Sequence, residues 1–255
     1  DHAGIQTESV FTKLLESKGQ NKFELGREEF YKQCYEFCLT NMNNAREYEQ
    51  RIGLSADFSR EFFTLDPRLT EIVYSTFYKM FEEGLVYRDK RIINQCPNCH
   101  TALADIDTEH EERRGIFAYI VYPFVEESDR RKAMDLFGVE GITVATTRPE
   151  TMLGDTAVAV NPKDRRYSQF VGKNVVLPLA NREIPVIAED TTDMELGTGA
   201  LKVTPAHSPV DFEIGKKHSL PIVNVINEEG KMTGNIPERF VGMGTTECSK
   251  ALCKE

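Results

Sequence analysis

Two stretches hold most of the residues in this chain that could do chemistry. The first runs Thr146-Thr147-Arg148-Pro149-Glu150-Thr151-Met152-Leu153-Gly154-Asp155-Thr156, and the second runs from Gly197-Thr198-Gly199 through Lys202-Val203-Thr204 to His207-Ser208-Pro209-Val210-Asp211. Each reads as a strand running into a helix start. Thr and Gly cluster at both turns, where backbone N–H groups and hydroxyls can converge on an anionic or ester-bearing ligand. Lys202 and Thr204 sit two apart on a strand and therefore point to one face. Asp211 falls in the first turn of a helix entered at Pro209, so the strand face and the helix start can meet over one cleft. No Ser or Cys in either stretch has a matched His base in a recognisable motif, and His207 reads equally as a packed or exposed imidazole or as a base. A covalent enzyme intermediate is therefore not expected from these residues, and a positioned water is the economical alternative nucleophile.

Each of these residues also has a plain reading. Thr147-Arg148-Pro149-Glu150 and Ser208-Pro209-Val210-Asp211 fit a capping pattern, with Pro at the first helical position and an acid at the third, so Glu150 and Asp211 could serve only as caps. Lys202 alone would be an edge charge, and Arg148 alone a surface residue.

A second motif, Cys96-Pro97-Asn98-Cys99-His100, follows a strand and supplies half of a tetrahedral zinc site. Its completing pair is not evident. Cys248 and Cys253 lie five apart in what reads as a terminal helix, a poor zinc spacing, while His100 and His110 stay open as ligands. An incomplete zinc knuckle and a metal-free turn both fit. The string also matches a haem c attachment motif, but no export signal precedes it and no axial Met follows in a suitable setting.

The elements that must position these residues differ between the two ends of the chain. Residues 1–95 read as mainly helical. Asp66-Pro67 opens a helix with Leu69, Ile72, Val73, Thr76, Phe77, Met80 and Phe81 at helical spacing, closed by Gly84, and that stripe is expected to be packing surface. A second helix after Gly26-Arg27 places Phe30, Cys34, Phe37 and Cys38 on one face, which makes the two cysteines buried hydrophobes. Beyond Tyr87 short β-rich runs follow at 116–122, 142–147, 157–160, 174–179, 184–188, 200–204 and 222–226, with helices expected at 128–137 and 163–170. The fold class is α+β or α/β: a helical segment over 1–95, a knuckle and linker over 96–115, and a compact β-barrel-like domain with short helices over 116–255.

Bulk composition narrows the partners. At 255 residues and 40% hydrophobic content the chain can bury a core without metal or disulfides. A net charge of -10 argues against non-specific duplex binding. The basic clusters Arg88-Asp89-Lys90-Arg91, Arg113-Arg114 and Arg130-Arg131-Lys132 read as solvated surface, which leaves room for the end of an RNA strand held in a local cleft. No apolar run approaches the roughly 20 residues of a membrane span, and six cysteines unevenly spaced suit reduced thiols. The expected location is cytoplasmic. Because the chain starts at Asp1 rather than Met, an organellar address is left open.

The two stretches together resemble the editing domain of the valyl-tRNA synthetase family, class I aminoacyl-tRNA synthetases, and the resemblance extends over the whole chain as an internal piece of such an enzyme. Asp1-His2-Ala3-Gly4 matches a motif of the Rossmann catalytic core, Asp57-Phe58-Ser59-Arg60 and Phe62 to Asp66 the approach to the editing insertion, and Cys96 to Ala102 its zinc knuckle. The resemblance implies a partial Rossmann segment over 1–95 and an editing domain over 116–255. It implies hydrolysis of threonine from mischarged tRNA(Val), with Lys202, Asp211 and Thr151 in catalysis. Substrate binding then falls to Arg148, Thr147, Thr204 and Ser208, with Asp1 contacting an amino group in the core. Zinc on Cys96 and Cys99 is implied, editing needs no cofactor, and ATP belongs only to the full-length enzyme, because His-x-Gly-His and Lys-Met-Ser-Lys-Ser are absent here. Implied partners are the 3′ end of tRNA(Val) bearing threonine and the rest of the synthetase, with no membrane. The sequence departs from the family at Ser208, where Asp is usual, and at Phe58 and Gln95, where Trp is common. Ser keeps the N-cap function but removes a carboxylate. The rival readings are a non-catalytic tRNA-end binding module and a zinc-stabilised structural domain.

Overall fold

The chain divides into two units, Asp1–Asp89 and Lys90–Glu255. The computed structural model describes residues 1–109, 111–112 and 115–254, so His110, Arg113 and Arg114 lie outside the described residues. No helix among the described residues is long and apolar enough to cross a membrane.

The first unit is helical: α1 (Gly4–Ser17), α2 (Lys22–Leu25), α3 (Arg27–Arg51) and α4 (Pro67–Glu82). Phe11 and Leu15 of α1 are buried, and Phe11 packs against Phe30 and Phe37 of α3 at centroid distances of 5.6 and 5.4 Å. The expected face of α3 thus meets α1, with Cys34 and Cys38 half-buried. Helix α4 starts with Pro67 as anticipated, but the Asp66 carboxylate accepts from Phe63 N at 2.8 Å instead of capping its own helix. The apolar stripe of α4 is exposed rather than packed: Ile72, Val73, Phe77 and Phe81 all stand in contact with solvent.

In the second unit β1 (Asn94–Cys96) and β2 (Thr101–Leu103) form a small hairpin, and β3 (Ala118–Pro123) pairs antiparallel with β4 (Gly141–Thr146), joined through α5 (Glu127–Phe137). Gly141 sits where any Cβ would lie 1.9 Å from the Tyr122 carbonyl oxygen, so only glycine permits that register. A four-stranded sheet follows in the order β6 (Asn174–Leu177), β7 (Arg182–Ala188), β5 (Ala157–Val160), β8 (Ala200–Val203), with β5 and β7 parallel and the other pairs antiparallel. Helices α6 (Pro209–Lys217) and α7 (Thr245–Leu252) complete the unit. The sheet and the β3–β4 pair are linked by one bridge, Phe124 to Val175, and the ladders among the described residues do not form a closed barrel. Closure needs every strand paired on both edges, and β4 and β8 approach each other without sharing a ladder.

Strand β5 explains how the core is divided. All four of its residues are buried, and strand periodicity sends Val158 and Val160 to the large cluster with Tyr122, Ile142 and Val186, while Ala157 and Ala159 face Val203 and Ile214. Two expected elements are absent. Residues 163–170 form turns ending in a single 3-10 turn at Ser168–Phe170, because Asn161 Oδ1 takes Lys163 N and Asp164 Oδ1 takes Arg166 N, local bonds that compete with a helix. Residues 222–226 contribute only a bridge from Ile226 to Met232, since Val225 N is held by His207 and Ile226 N by Asn224.

Candidate active site

The first stretch leaves β4 at Thr146, whose hydroxyl accepts from Arg148 N at 3.1 Å. Pro149 then opens a 3-10 turn, Pro149–Gly154, instead of an α-helix, and no side chain caps it. Thr151 Oγ1 donates back to the Arg148 carbonyl at 2.9 Å. Gly154 closes the turn against Thr204: a Cβ there would meet Val223 O at 2.9 Å and Thr204 Cγ2 at 3.3 Å. Asp155 follows, fully buried.

Onto this turn β8 delivers Lys202 and Thr204. The buried Lys202 Nζ donates to Thr151 Oγ1 at 2.8 Å and to Thr204 Oγ1 at 2.6 Å, and stands 3.5 Å from Asp155 Oδ1. An ammonium has three N–H donors, and here each one faces an oxygen. The Thr204 hydroxyl in turn donates to Asp155 Oδ1, and Tyr122 of β3 donates its hydroxyl to Asp155 Oδ2 at 2.7 Å. Arg182 of β7 fixes the backbone of the same turn, donating through Nη2 to the carbonyls of Leu153 and Asp155 at 3.1 and 2.8 Å. Burial lifts the Asp155 carboxyl to about 6, an effect that Lys202, Thr204 and Tyr122 oppose and Asp211 reinforces. Burial, and then the Asp155 charge, drives the Tyr122 phenol well above its ordinary range.

The second stretch turns from β8 into α6 around these groups. Ser208 is the N-cap, its Oγ accepting from Asp211 N at 3.3 Å. The buried Asp211 carboxylate does not complete a capping box: Oδ2 accepts from Thr204 N at 2.9 Å, so it ties the helix start to the strand end. Glu150 is likewise no cap, and accepts from Arg148 Nε at 3.4 Å. Arg148 reaches across with Nη1 to the His207 carbonyl at 2.8 Å, bridging the two stretches. The His207 ring accepts from Val225 N at Nε2, 3.0 Å, and burial, assisted by Arg148 and Lys202, lowers it to about 4. A nitrogen so engaged and so weakly basic does not serve as a general base near neutrality.

A cavity of about 600 Å³ opens above this floor. Thr147, Arg148, Thr151, Lys202, Thr204, Ser208 and Asp211 all line it, the seven second-unit residues that sequence reasoning selected for catalysis or binding. Its far wall is the 190–198 loop, held from behind by its carbonyls. Asn161 Nδ2 donates to those of Asp190 and Thr192, each at 3.0 Å, Arg166 Nη2 to that of Met194 at 2.7 Å, and Tyr167 OH to that of Thr198 at 3.0 Å. Phe117 and Leu196, both exposed, stand among its lining residues.

Asp1 belongs to the first unit, where its exposed carboxylate accepts from Ala3 N at 3.2 Å. Cys96 and Cys99 flank the β1–β2 turn, in which His100 N donates to Cys96 O at 2.9 Å. Hydrogen bonds from Cys99 and Asn98 hold the Cys96 thiol below its ordinary range, and Cys99 Sγ lies 3.2 Å from Thr101 Oγ1. No group of three metal-ligating side chains occurs among the described residues, and two thiols do not fill a four-ligand zinc site. The residues that sequence reasoning passed over are Asp155, Tyr122 and Arg182. Asp155 had a signal, a lone acid at the mouth of the apolar run Ala157–Val160; Tyr122 had none.

Comparison with known proteins covers nearly the whole chain. A family model described as tRNA synthetases class I (I, L, M and V) matches residues 1–239. The chain is similar to the Valine--tRNA ligase of Aquifex aeolicus, 48% identical over 264 residues, covering 99% of this chain and 22% of that protein. It is 48% identical over 255 residues to the Valine--tRNA ligase of Geobacter sulfurreducens, with 100% of this chain and 28% of the relative covered. That of Treponema denticola is 42% identical with the same coverages. The chain thus spans between 22% and 28% of the length of these relatives. Among solved structures, "The crystal structure of GlLeuRS-CP1" aligns with a TM-score of 0.42 and 15% identity, covering 53% of this chain and 94% of that one.

Proposed function

The chain belongs to the class I tRNA synthetases (I, L, M and V), and from that premise we propose that its second unit hydrolyses the ester of threonine mischarged onto tRNA(Val). The observation that carries the reading is the convergence of Lys202, Thr151, Thr204 and Asp211 on one cavity. The proton pattern favours a hydroxylated substrate. Thr151 gives its only proton to the Arg148 carbonyl and Thr204 gives its own to Asp155, so both hydroxyls have only lone pairs to offer a ligand. A threonine hydroxyl or α-ammonium can donate to such a floor, and the second oxygen of Asp211 is a further acceptor. A valine methyl cannot donate, which is the discrimination a second site must supply when a first pocket cannot reject an isostere.

In the proposed reaction a water oxygen bonds to the ester carbonyl carbon, the bond to the terminal ribose oxygen breaks, and the water's proton ends on that leaving oxygen. The Lys202 charge and the N–H groups of the two turns stabilise the negative oxygen that develops on the way. His207 takes no proton in this scheme. Neither signature for ATP occurs in the sequence, so no ATP chemistry is assigned to this chain, and no step uses the Cys96–Cys99 knuckle.

The test is hydrolysis by the purified chain of threonyl-tRNA(Val) and valyl-tRNA(Val), each against buffer. Faster release of threonine with valine spared is expected. Equal, buffer-like rates for both esters together with retained binding of the tRNA 3′ end would instead favour a non-catalytic binding module, a reading that the replacement of the family's usual Asp by Ser208 supports.

A further inference from the structure

We propose that Tyr122 is a positioning residue of this site, whose hydroxyl holds Asp155 as the ionised acceptor that orients Thr204 and Lys202. The inference rests on the hydrolase reading for its kinetic consequence, though not for its physical one. Tyr122 does not line the cavity, and neither does Asp155; both stand behind the floor. Tyr122 lies on β3, with its ring fully buried in the main core cluster. Packing alone would be served by phenylalanine, whose ring fills the same space without burying a hydroxyl. A buried hydroxyl is costly unless bonded, and this one meets Asp155 Oδ2 at 2.7 Å.

The two carboxylate oxygens of Asp155 divide their work. Oδ1 takes the Thr204 proton and faces Lys202, while Oδ2 is held by Tyr122. With the phenol removed, Oδ2 is left buried without its donor, and the simplest relief is a proton from solvent. A protonated Asp155 no longer balances Lys202, and its acid proton competes with the Thr204 hydroxyl for direction. Thr204 is then free to turn its own proton toward the cavity, and the floor changes from acceptor to donor at that point. The groups that set this balance come from every element around Asp155: Lys202 and Thr204 from the β8 stretch, Tyr122 from β3, Arg182 from β7 and Asp211 from α6. Among them Tyr122 can lose its hydrogen bond while keeping its shape.

The experiment compares the parent chain, Tyr122→Phe, and a chain carrying 3-fluorotyrosine at 122, a stronger donor of nearly the same shape. Two readouts are taken against pH: the Asp155 side-chain carboxyl signal by carbon NMR, and kcat and KM for threonyl-tRNA(Val). In Y122F the Asp155 midpoint moves up and kcat near neutrality falls about tenfold, the rate equivalent of one hydrogen bond to a charged group, with KM little changed and the acid limb of the rate profile displaced upward with the midpoint. Fluorotyrosine moves the midpoint down. If Y122F leaves both the Asp155 midpoint and the rate profile unmoved, Tyr122 is packing only and the proposal is overturned. If the fluorotyrosine midpoint fails to fall, it is overturned even where Y122F does not fold. A parent that binds but does not hydrolyse defeats the hydrolase reading, while the carbon titration still decides whether Tyr122 controls Asp155.

Discussion

Replacing Asp155 by Asn removes a charge from behind the floor of the site while keeping its outline, and the consequence for stability can be worked from the structure. The carboxyl has no exposed surface, and burial raises it from an ordinary 3.8 to about 6. Between those values the folded protein keeps a proton that the unfolded chain has released, so this group makes stability fall as pH rises from about 4 to about 6. A displacement of about two units corresponds in full to about 3 kcal/mol. Between about pH 4 and pH 7 the share is about 2 kcal/mol, because the unfolded carboxyl is already partly ionised at the lower end. His207 acts in the opposite sense. Burial lowers its imidazole from 6.5 to about 4, so the unfolded chain binds a proton that the folded protein refuses, and stability rises with pH across nearly the same interval. The two slopes offset one another in the parent, and D155N leaves the His207 slope unopposed. Urea unfolding of both proteins at about pH 4 and pH 7 isolates the term, since every other titrating group cancels in the double difference. The gain in stability on going from the lower to the higher pH should be larger in D155N by about 2 kcal/mol. An equal or smaller gain in D155N would refute the claim that Asp155 carries a costly buried charge.

Asp211→Ala orphans the buried Thr204 N–H, so it should cost about 1–3 kcal/mol in urea unfolding and abolish the preference for the threonyl ester; a preference that survives would reduce Asp211 to a structural tie. Thr204→Val removes the donor to Asp155 and an acceptor of Lys202 together, and hydrolysis should be lost, whereas Thr204→Ser keeps the hydroxyl and should retain it; equal rates in the two variants would contradict the hydroxyl argument. Gly199→Ala places a Cβ 2.8 Å from the Met194 carbonyl at a φ of 79°, and should lower the urea midpoint by the equivalent of more than about 1 kcal/mol. His207→Ala should lower stability by about 1 kcal/mol through the unpaired Val225 N–H while leaving the acid midpoint of the rate profile where the parent has it, and a displaced midpoint would make His207 the titrating group after all.

What the sequence made legible was what local geometry controls. Lys202 and Thr204 face one side because a strand alternates, and Ser208 caps because Pro209 and Asp211 follow it, whereas the choice of the seven residues that line one cavity came from the family resemblance. The same rules misjudged Asp211, whose pattern suggests a cap but whose carboxylate is taken by Thr204 N; a tertiary acceptor role cannot be seen in a spacing of three. Residues 163–170 show the reverse case, where a short helix was expected and Asn161 and Asp164 diverted the backbone into turns. The barrel-like expectation is not confirmed by the ladders among the described residues, and the reason is global, since strand periodicity says which face is inward but not whether the last edge finds the first. Asp155 marks the limit most clearly. Its partners Tyr122 and Lys202 stand 33 and 47 positions away, and only the fold turns an acid beside an apolar run into the group that fixes the direction of the proton on Thr204. A pocket that reads a hydroxyl needs that direction fixed before the ligand arrives, because a hydroxyl free to rotate would accommodate donor and acceptor alike. On the proposed reading, the buried charge, costly as it is in folding, is the element that would make the choice.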